Sequence, residues 1–112
     1  MIQKRFELNA DPDAQAWLAA NPSSEPRVIE YDVHRCCGGG KICQVRVRER
    51  SRSDEPARFV SATLQDGSPI LIDARAAARL PARFGLTVRG RGSRKRLDLA
   101  LDSDEWGELL YT

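Results

Sequence analysis

Between Arg27 and Arg50 apolar and polar residues alternate with a period of two on both sides of a glycine-rich interruption, and this pattern limits the fold more than any other. Ile29, Tyr31 and Val33 share one parity, and Glu30, Asp32 and His34 the other. Beyond the interruption, Val45 and Val47 alternate with Gln44, Arg46, Arg48 and Arg50. Successive side chains of a strand point to opposite faces, so each run predicts a half-buried strand. Two such strands around a short glycine-rich connection predict an antiparallel hairpin. The interruption, Cys36-Cys37-Gly38-Gly39-Gly40-Lys41-Ile42-Cys43, holds all three cysteines, and the only histidine, His34, stands just before it.

The rest of the chain reads as short strands with clear punctuation. Ile2, Phe6 and Leu8 predict a first strand over about 2–8. Asp11 then caps a helix with Pro12 in its first turn and Trp17 as core anchor, and Asn21-Pro22 ends it. Phe59 to Leu64, Ser68 to Ile72, Leu86 to Val88 and Leu97 to Leu101 predict further strands, with turns at Asp66-Gly67 and Gly90 to Ser93. Asp73 caps a brief helical turn ending before Pro81. An acidic tail from Asp102 to Thr112 ends in a short helix or strand, packed down by Trp106, Leu109 and Leu110. The expected architecture is mainly β, a sandwich or barrel-like single domain over 1–112 with a core over 2–101, one amino-terminal helix and one short helical turn.

Composition narrows the function classes. With 41% hydrophobic and 30% charged residues the chain is of ordinary globular type, and a net charge of +2 does not make it a general polyanion binder. Its longest apolar runs fall far short of the roughly 20 residues a membrane helix needs, and 1–7 has no apolar signal core. A cytoplasmic protein without membrane partners is expected. An odd cysteine count with two neighbours adjacent argues against a secreted disulfide framework and points to metal or thiol chemistry. There is no acid–base pair or hydrolytic triad, so a conventional catalytic residue is not expected. Nor does Gly39-Gly40-Lys41 make a phosphate loop, because Ile42 follows where Ser or Thr is needed.

Residues paired across a hairpin share a face, and the valines must share the core face, so paired residue numbers sum to an even value. A five-residue loop from Gly38 to Ile42 sets Cys37 opposite Cys43, and Cys36 on the face of His34 and Asp32. Two chemistries fit. Thiolates of Cys36, Cys37 and Cys43 can bind a soft metal ion or an iron–sulfur cluster, with the fourth ligand from His34, a second copy or an exogenous thiol. Alternatively, His34 oriented by Asp32 lowers the pKa of Cys36 or Cys37, and the thiolate exchanges with Cys43.

The order of elements resembles the HesB-like family, the fold of A-type iron–sulfur cluster carriers, over residues 2–101. The resemblance is carried by Gly67-Ser68-Pro69-Ile70-Leu71-Ile72-Asp73, the short helix to Leu80, Leu86-Thr87-Val88, the glycine turn and Leu97-Asp98-Leu99. Cys36-Cys37-Gly38-Gly39 is more similar to small relatives of the carriers in which some members replace a cysteine by selenocysteine. The resemblance implies a β-sandwich-like domain with a metal or redox site at the cysteine loop, and a homodimer or iron–sulfur assembly proteins as partners. Cys36 or Cys37 matches the carriers' cysteine in their glycine-rich loop. Where the carriers end in Cys-Gly-Cys, this chain has Ser103-Asp104-Glu105-Trp106-Gly107, so Cys43 has to substitute.

Basic residues form two clusters that suggest a rival function. Arg46, Arg48, Arg50, Arg52 and Arg58 crowd one strand and its loop; Arg89, Arg91, Arg94, Lys95 and Arg96 crowd the last hairpin and are the candidate anion-binding residues. Alternating arginines are also what a solvated strand face carries, so the sequence favours that reading over nucleic acid as a partner.

Overall fold

Alternation decides the inside of this structure, a computed structural model that describes residues 5–35 and 41–111, with backbone alone at 34, 35, 41–43 and 111. In β1 (Phe6–Ala10), Phe6, Leu8 and Ala10 are buried while Glu7 and Asn9 are exposed. The same period runs through β5 (Pro69–Asp73), β6 (Arg83–Arg89) and β7 (Arg96–Ala100), which bury Ile70, Ile72, Phe84, Leu86, Leu97 and Leu99. In β2 (Arg27–Arg35), Ile29 and Tyr31 are buried; Val45 and Val47 of β3 (Lys41–Glu49) pack half-buried against the same core. β4 (Phe59–Leu64) contributes Ala62, with Val60 and Leu64 partly buried.

The seven strands form one mixed sheet in the order β3-β2-β5-β4-β1-β6-β7. β1 pairs parallel with β4 and β6, β2 pairs parallel with β5, and the remaining neighbours are antiparallel. The sheet curls until its terminal strands, β3 and β7, lie near one another, giving a nearly closed barrel filled by the inward residues. At the end of β1, where β4 has finished, the Gln65 side chain continues the ladder: its Oε1 accepts from Ala10 N at 2.9 Å and its Nε2 donates to Ala10 O at 3.0 Å.

Three helices cover the barrel. α1 (Pro12–Ala20) starts as predicted, with Asp11 accepting from Ala14 N, and it buries Ala14 beside half-buried Trp17 and Leu18. α2 (Ala74–Ala77) is capped by Asp73 and leads into buried Leu80. Of the short helix or strand expected for the acidic tail, the structure has a helix, α3 (Ser103–Tyr111). Asp102 and Glu105 make a reciprocal capping box, and Trp106, Leu109 and Leu110 pack on the core as expected. The first strand begins at Phe6 and runs on to Ala10; residues 1–4 of the predicted 2–8 strand lie outside the described part. No described helix is long and apolar enough to cross a membrane.

The β6–β7 turn depends on Gly90, whose φ is +99°; a Cβ there would stand 2.4 Å from the carbonyl oxygen of Arg94. Gly67 also has positive φ, but a Cβ there meets nothing within 4 Å. Gly90→Ala should therefore cost at least about 2 kcal/mol and Gly67→Ala about 1 kcal/mol, read from urea midpoints of the two variants.

Candidate functional site: the β2–β3 ribbon and its anchorage

Strand pairing determines where the cysteine hairpin stands. β2 pairs with β5 only through Val28 and its neighbours, Arg27↔Ile70 to Ile29↔Ile72, whereas it pairs with β3 along its whole length, Arg27↔Glu49 to Arg35↔Lys41. From about residue 31 outward, β2 and β3 therefore continue as a two-stranded ribbon beyond the end of β5. Strand directions put the ends of β2, β5 and β7 at the same end of the barrel, so α2 and α3 gather around the base of this ribbon. At 36% relative exposure, Val33 is the one large apolar residue exposed among those described.

The observed register corrects the predicted one. Paired numbers do sum to an even value, and Val45 and Val47 meet Tyr31 and Ile29 as the parity argument requires. Cys43, however, is opposite Val33, not Cys37. Lys41 and Ile42 belong to the returning strand, opposite Arg35 and His34, so the connection is residues 36–40 instead of Gly38 to Ile42. Cys36, Cys37 and Gly38–Gly40 lie outside the described residues, as do the side chains of His34, Lys41 and Cys43.

The ribbon is fastened at Tyr31, which is only 4% exposed. Arg75 donates through Nη2 to the Tyr31 carbonyl oxygen at 2.6 Å, occupying an edge that β5 no longer pairs. Arg79 donates through Nη1 to the Tyr31 hydroxyl at 2.6 Å and to Leu109 O of α3 at 3.4 Å. Both guanidinium groups stand 5.5 Å from the centre of the Tyr31 ring, a cation–π arrangement. Arg75 is itself held by Asp73, whose carboxylate accepts from Arg75 Nε, Nη2 and backbone N at 2.9–3.2 Å, with Arg58 Nη2 at 3.5 Å. The Asp73 side chain is 2% exposed. Burial pushes its pKa up, but the bonds from Arg75 and the charges of Arg75 and Arg58 outweigh burial and hold it below the ordinary value. Asp32, predicted to orient His34, places its charge on Arg75 and helps hold that guanidinium protonated.

A second network ties the outer face of the ribbon to the β3–β4 loop. Glu30 accepts from Arg46 at 2.9 Å and from Arg48 at 2.6 Å. Arg48 also grips Asp54 with both terminal nitrogens, at 2.9 and 2.7 Å, and Ser51 N donates to the same carboxylate. The Arg48 bond and the Ser51 N–H hold the buried Asp54 well below the usual carboxylate range. These contacts use Arg46, Arg48 and Arg58 internally, which removes most of the first basic cluster from any phosphate-binding role.

Elsewhere the surface offers less chemistry. A groove of about 1150 Å³ between β1, β4 and α2 is lined by Phe6, Phe59, Ser61, Thr63 and alanines, with Arg5 and Glu7 its ionisable residues. Among the described residues no group of three or more His, Cys, Asp or Glu could hold a metal ion. No family model matches the chain, and no curated protein matches it.

Two expectations follow from the anchorage. Replacing both arginines by glutamine (Arg75→Gln with Arg79→Gln) should free the ribbon but keep the barrel. Amides of Val33 and Gln44 should exchange with solvent at least tenfold faster in the variant, and that of Leu99 should change little. Asp73 also gives a pH dependence. Its pKa is depressed on folding, so its contribution is complete above the unfolded value near 3.9 and is lost as pH falls through the native value. Wild type should exceed Asp73→Asn by about 1–2 kcal/mol at pH 6, and urea titrations should show that gap closing toward pH 2.

Proposed function

We propose that the protein binds a soft metal ion or an iron–sulfur species through the thiols of the β2–β3 connection. Cys36 and Cys37 are the leading ligands and Cys43 the third. The observation that carries this reading is the placement of the flanking strands: β2, which runs in sequence directly into Cys36 and Cys37, and β3, which carries Cys43, pair beyond the end of β5 and are braced at Tyr31 by Arg75, Arg79 and Asp73. Thiolate is the preferred ligand of soft metals and of iron–sulfur clusters, so the donor set fits the group. Three sulfurs fall one short of the usual four, and a second copy, His34 or an exogenous thiol supplies the remainder. The resemblance to the HesB-like carriers supports the same chemistry and suggests iron–sulfur assembly proteins as partners. The reading requires reduced thiols, hence a cytoplasmic setting.

The Asp73–Arg75 pair contributes electrostatics as well as shape. Arg75 is cationic at the ribbon base, and a positive charge near a thiolate favours its deprotonated form. The thiol-exchange reading, with Asp32 orienting His34 and His34 activating Cys36 or Cys37, uses the same ribbon.

Anaerobic reconstitution with iron and sulfide, followed by absorbance and metal analysis, tests the proposal. Wild type should retain metal and the triple variant Cys36→Ser, Cys37→Ser, Cys43→Ser should lose it; equal metal in both would refute the reading. Cys43→Ser alone, which removes one of the three thiols, should weaken retention less than Cys36→Ser with Cys37→Ser, which removes two.

A further inference from the structure

The charge of this chain is segregated along its length, and the structure shows where the excess goes. From Arg75 to Arg96 there is no acidic residue, although the chain has 16 in all. Four of the basic residues in that span are engaged: Arg75 and Arg79 at Tyr31, Arg83 with Glu7 and Arg89 with Asp98. The other four, Arg91, Arg94, Lys95 and Arg96, are all exposed and form no ion pair among the described residues.

These four cations are carried on a turn of defined shape. Arg89 pairs with Arg96 at the end of the β6–β7 ladder. The intervening residues turn through positive φ at Gly90 and Gly92, closed by bonds from Arg94 N to Arg91 O at 3.0 Å and from Lys95 N to Gly92 O at 3.4 Å. A fixed turn presents its charges with less ordering cost on binding than a floppy loop. Strand directions put this turn at the opposite end of the barrel from the thiol connection. β3 and β7 approach one another and run antiparallel, so the β6–β7 turn shares that end with the exit of β3. There Arg50 and Arg52, also without an ion pair among the described residues, extend the positive surface.

We propose that the β6–β7 turn is a docking surface for the phosphate backbone of duplex nucleic acid. Arginine predominates over lysine, and the guanidinium fork matches phosphate oxygens. The turn carries no aromatic residue on which unpaired bases could stack, which selects a duplex over a single strand. A two-stranded β-ribbon is of a width that the major groove of about 12 Å admits. The contacts are to phosphate, so binding is independent of sequence and steep in salt.

The test is fluorescence anisotropy of the full chain with a labelled duplex of roughly 20 base pairs at about 50 mM salt, repeated up to about 200 mM. Four phosphate contacts predict a slope of log K on log salt of about −3.6, an affinity loss of about 150-fold over that range. The quadruple variant Arg91→Gln, Arg94→Gln, Lys95→Gln, Arg96→Gln should bind at least tenfold more weakly and lose most of that slope. Its fold is checked by an unchanged thermal transition, since all four side chains are exposed. Equal binding by wild type and variant overturns the proposal, as does the absence of wild-type binding at the lowest salt. Displacement of the duplex by poly-glutamate at equal charge also overturns it, assigning the surface to acidic protein. The result is independent of metal at the cysteines, because the triple Cys→Ser variant should bind the duplex as wild type does.

Discussion

Three residues of β2 pair with β5, and then β5 stops while β2 continues. Most of what is distinctive here depends on how the molecule handles that end. A strand losing its neighbour exposes backbone groups that need a partner. Arg75 supplies one, donating to the Tyr31 carbonyl oxygen from the first turn after β5, while Asp73 holds the guanidinium in place. Arg79 fastens the same tyrosine by its hydroxyl and carries the connection on to α3. One aromatic residue thus joins ribbon, sheet and two helices, and the base of the ribbon is anchored on several sides.

The ion pairs of this protein act more through geometry than through raw energy. Arg75 and Arg58 are 54% and 43% exposed in their side chains, so water screens most of their attraction to Asp73. What persists is direction: a buried carboxylate with three donors from one residue has few alternative arrangements. The Arg48–Asp54–Glu30 network does the same for the outer face of the ribbon, linking it to the β3–β4 loop. Both networks consume cations that the sequence displays as a basic stripe. Among the described residues, Arg91, Arg94, Lys95 and Arg96 remain exposed without an ion pair at the β6–β7 turn, at the opposite end of the barrel from the Arg35↔Lys41 pair.

Much of this was legible from residue order. Period-two alternation, one short apolar run and the turn signals located the seven described strands, and Asp11-Pro12 and Asp73 marked two helix starts, because these signals depend on local backbone preferences. Parity placed Val45 and Val47 on the face of Ile29 and Tyr31, since a slip of one residue would have turned valines to water. Parity is silent about slips of two, however, which leave every face unchanged. In the observed offset the strands end at Arg35 and begin again at Lys41, and Cys43 opposes Val33. The tail helix was underdetermined for a similar reason: nine residues of mixed polarity become a helix because Leu109 finds a buried place against the core.

By itself the sequence determined the strands, their buried faces and the gathering of every cysteine beside one glycine run, all of them properties of neighbours along the chain. Only the tertiary structure decided the hairpin offset, the clasp of two arginines on Tyr31, and which basic residues remain without a counter-charge. Those outcomes rest on which distant groups come within bonding reach, and that is a matter of how the sheet closes.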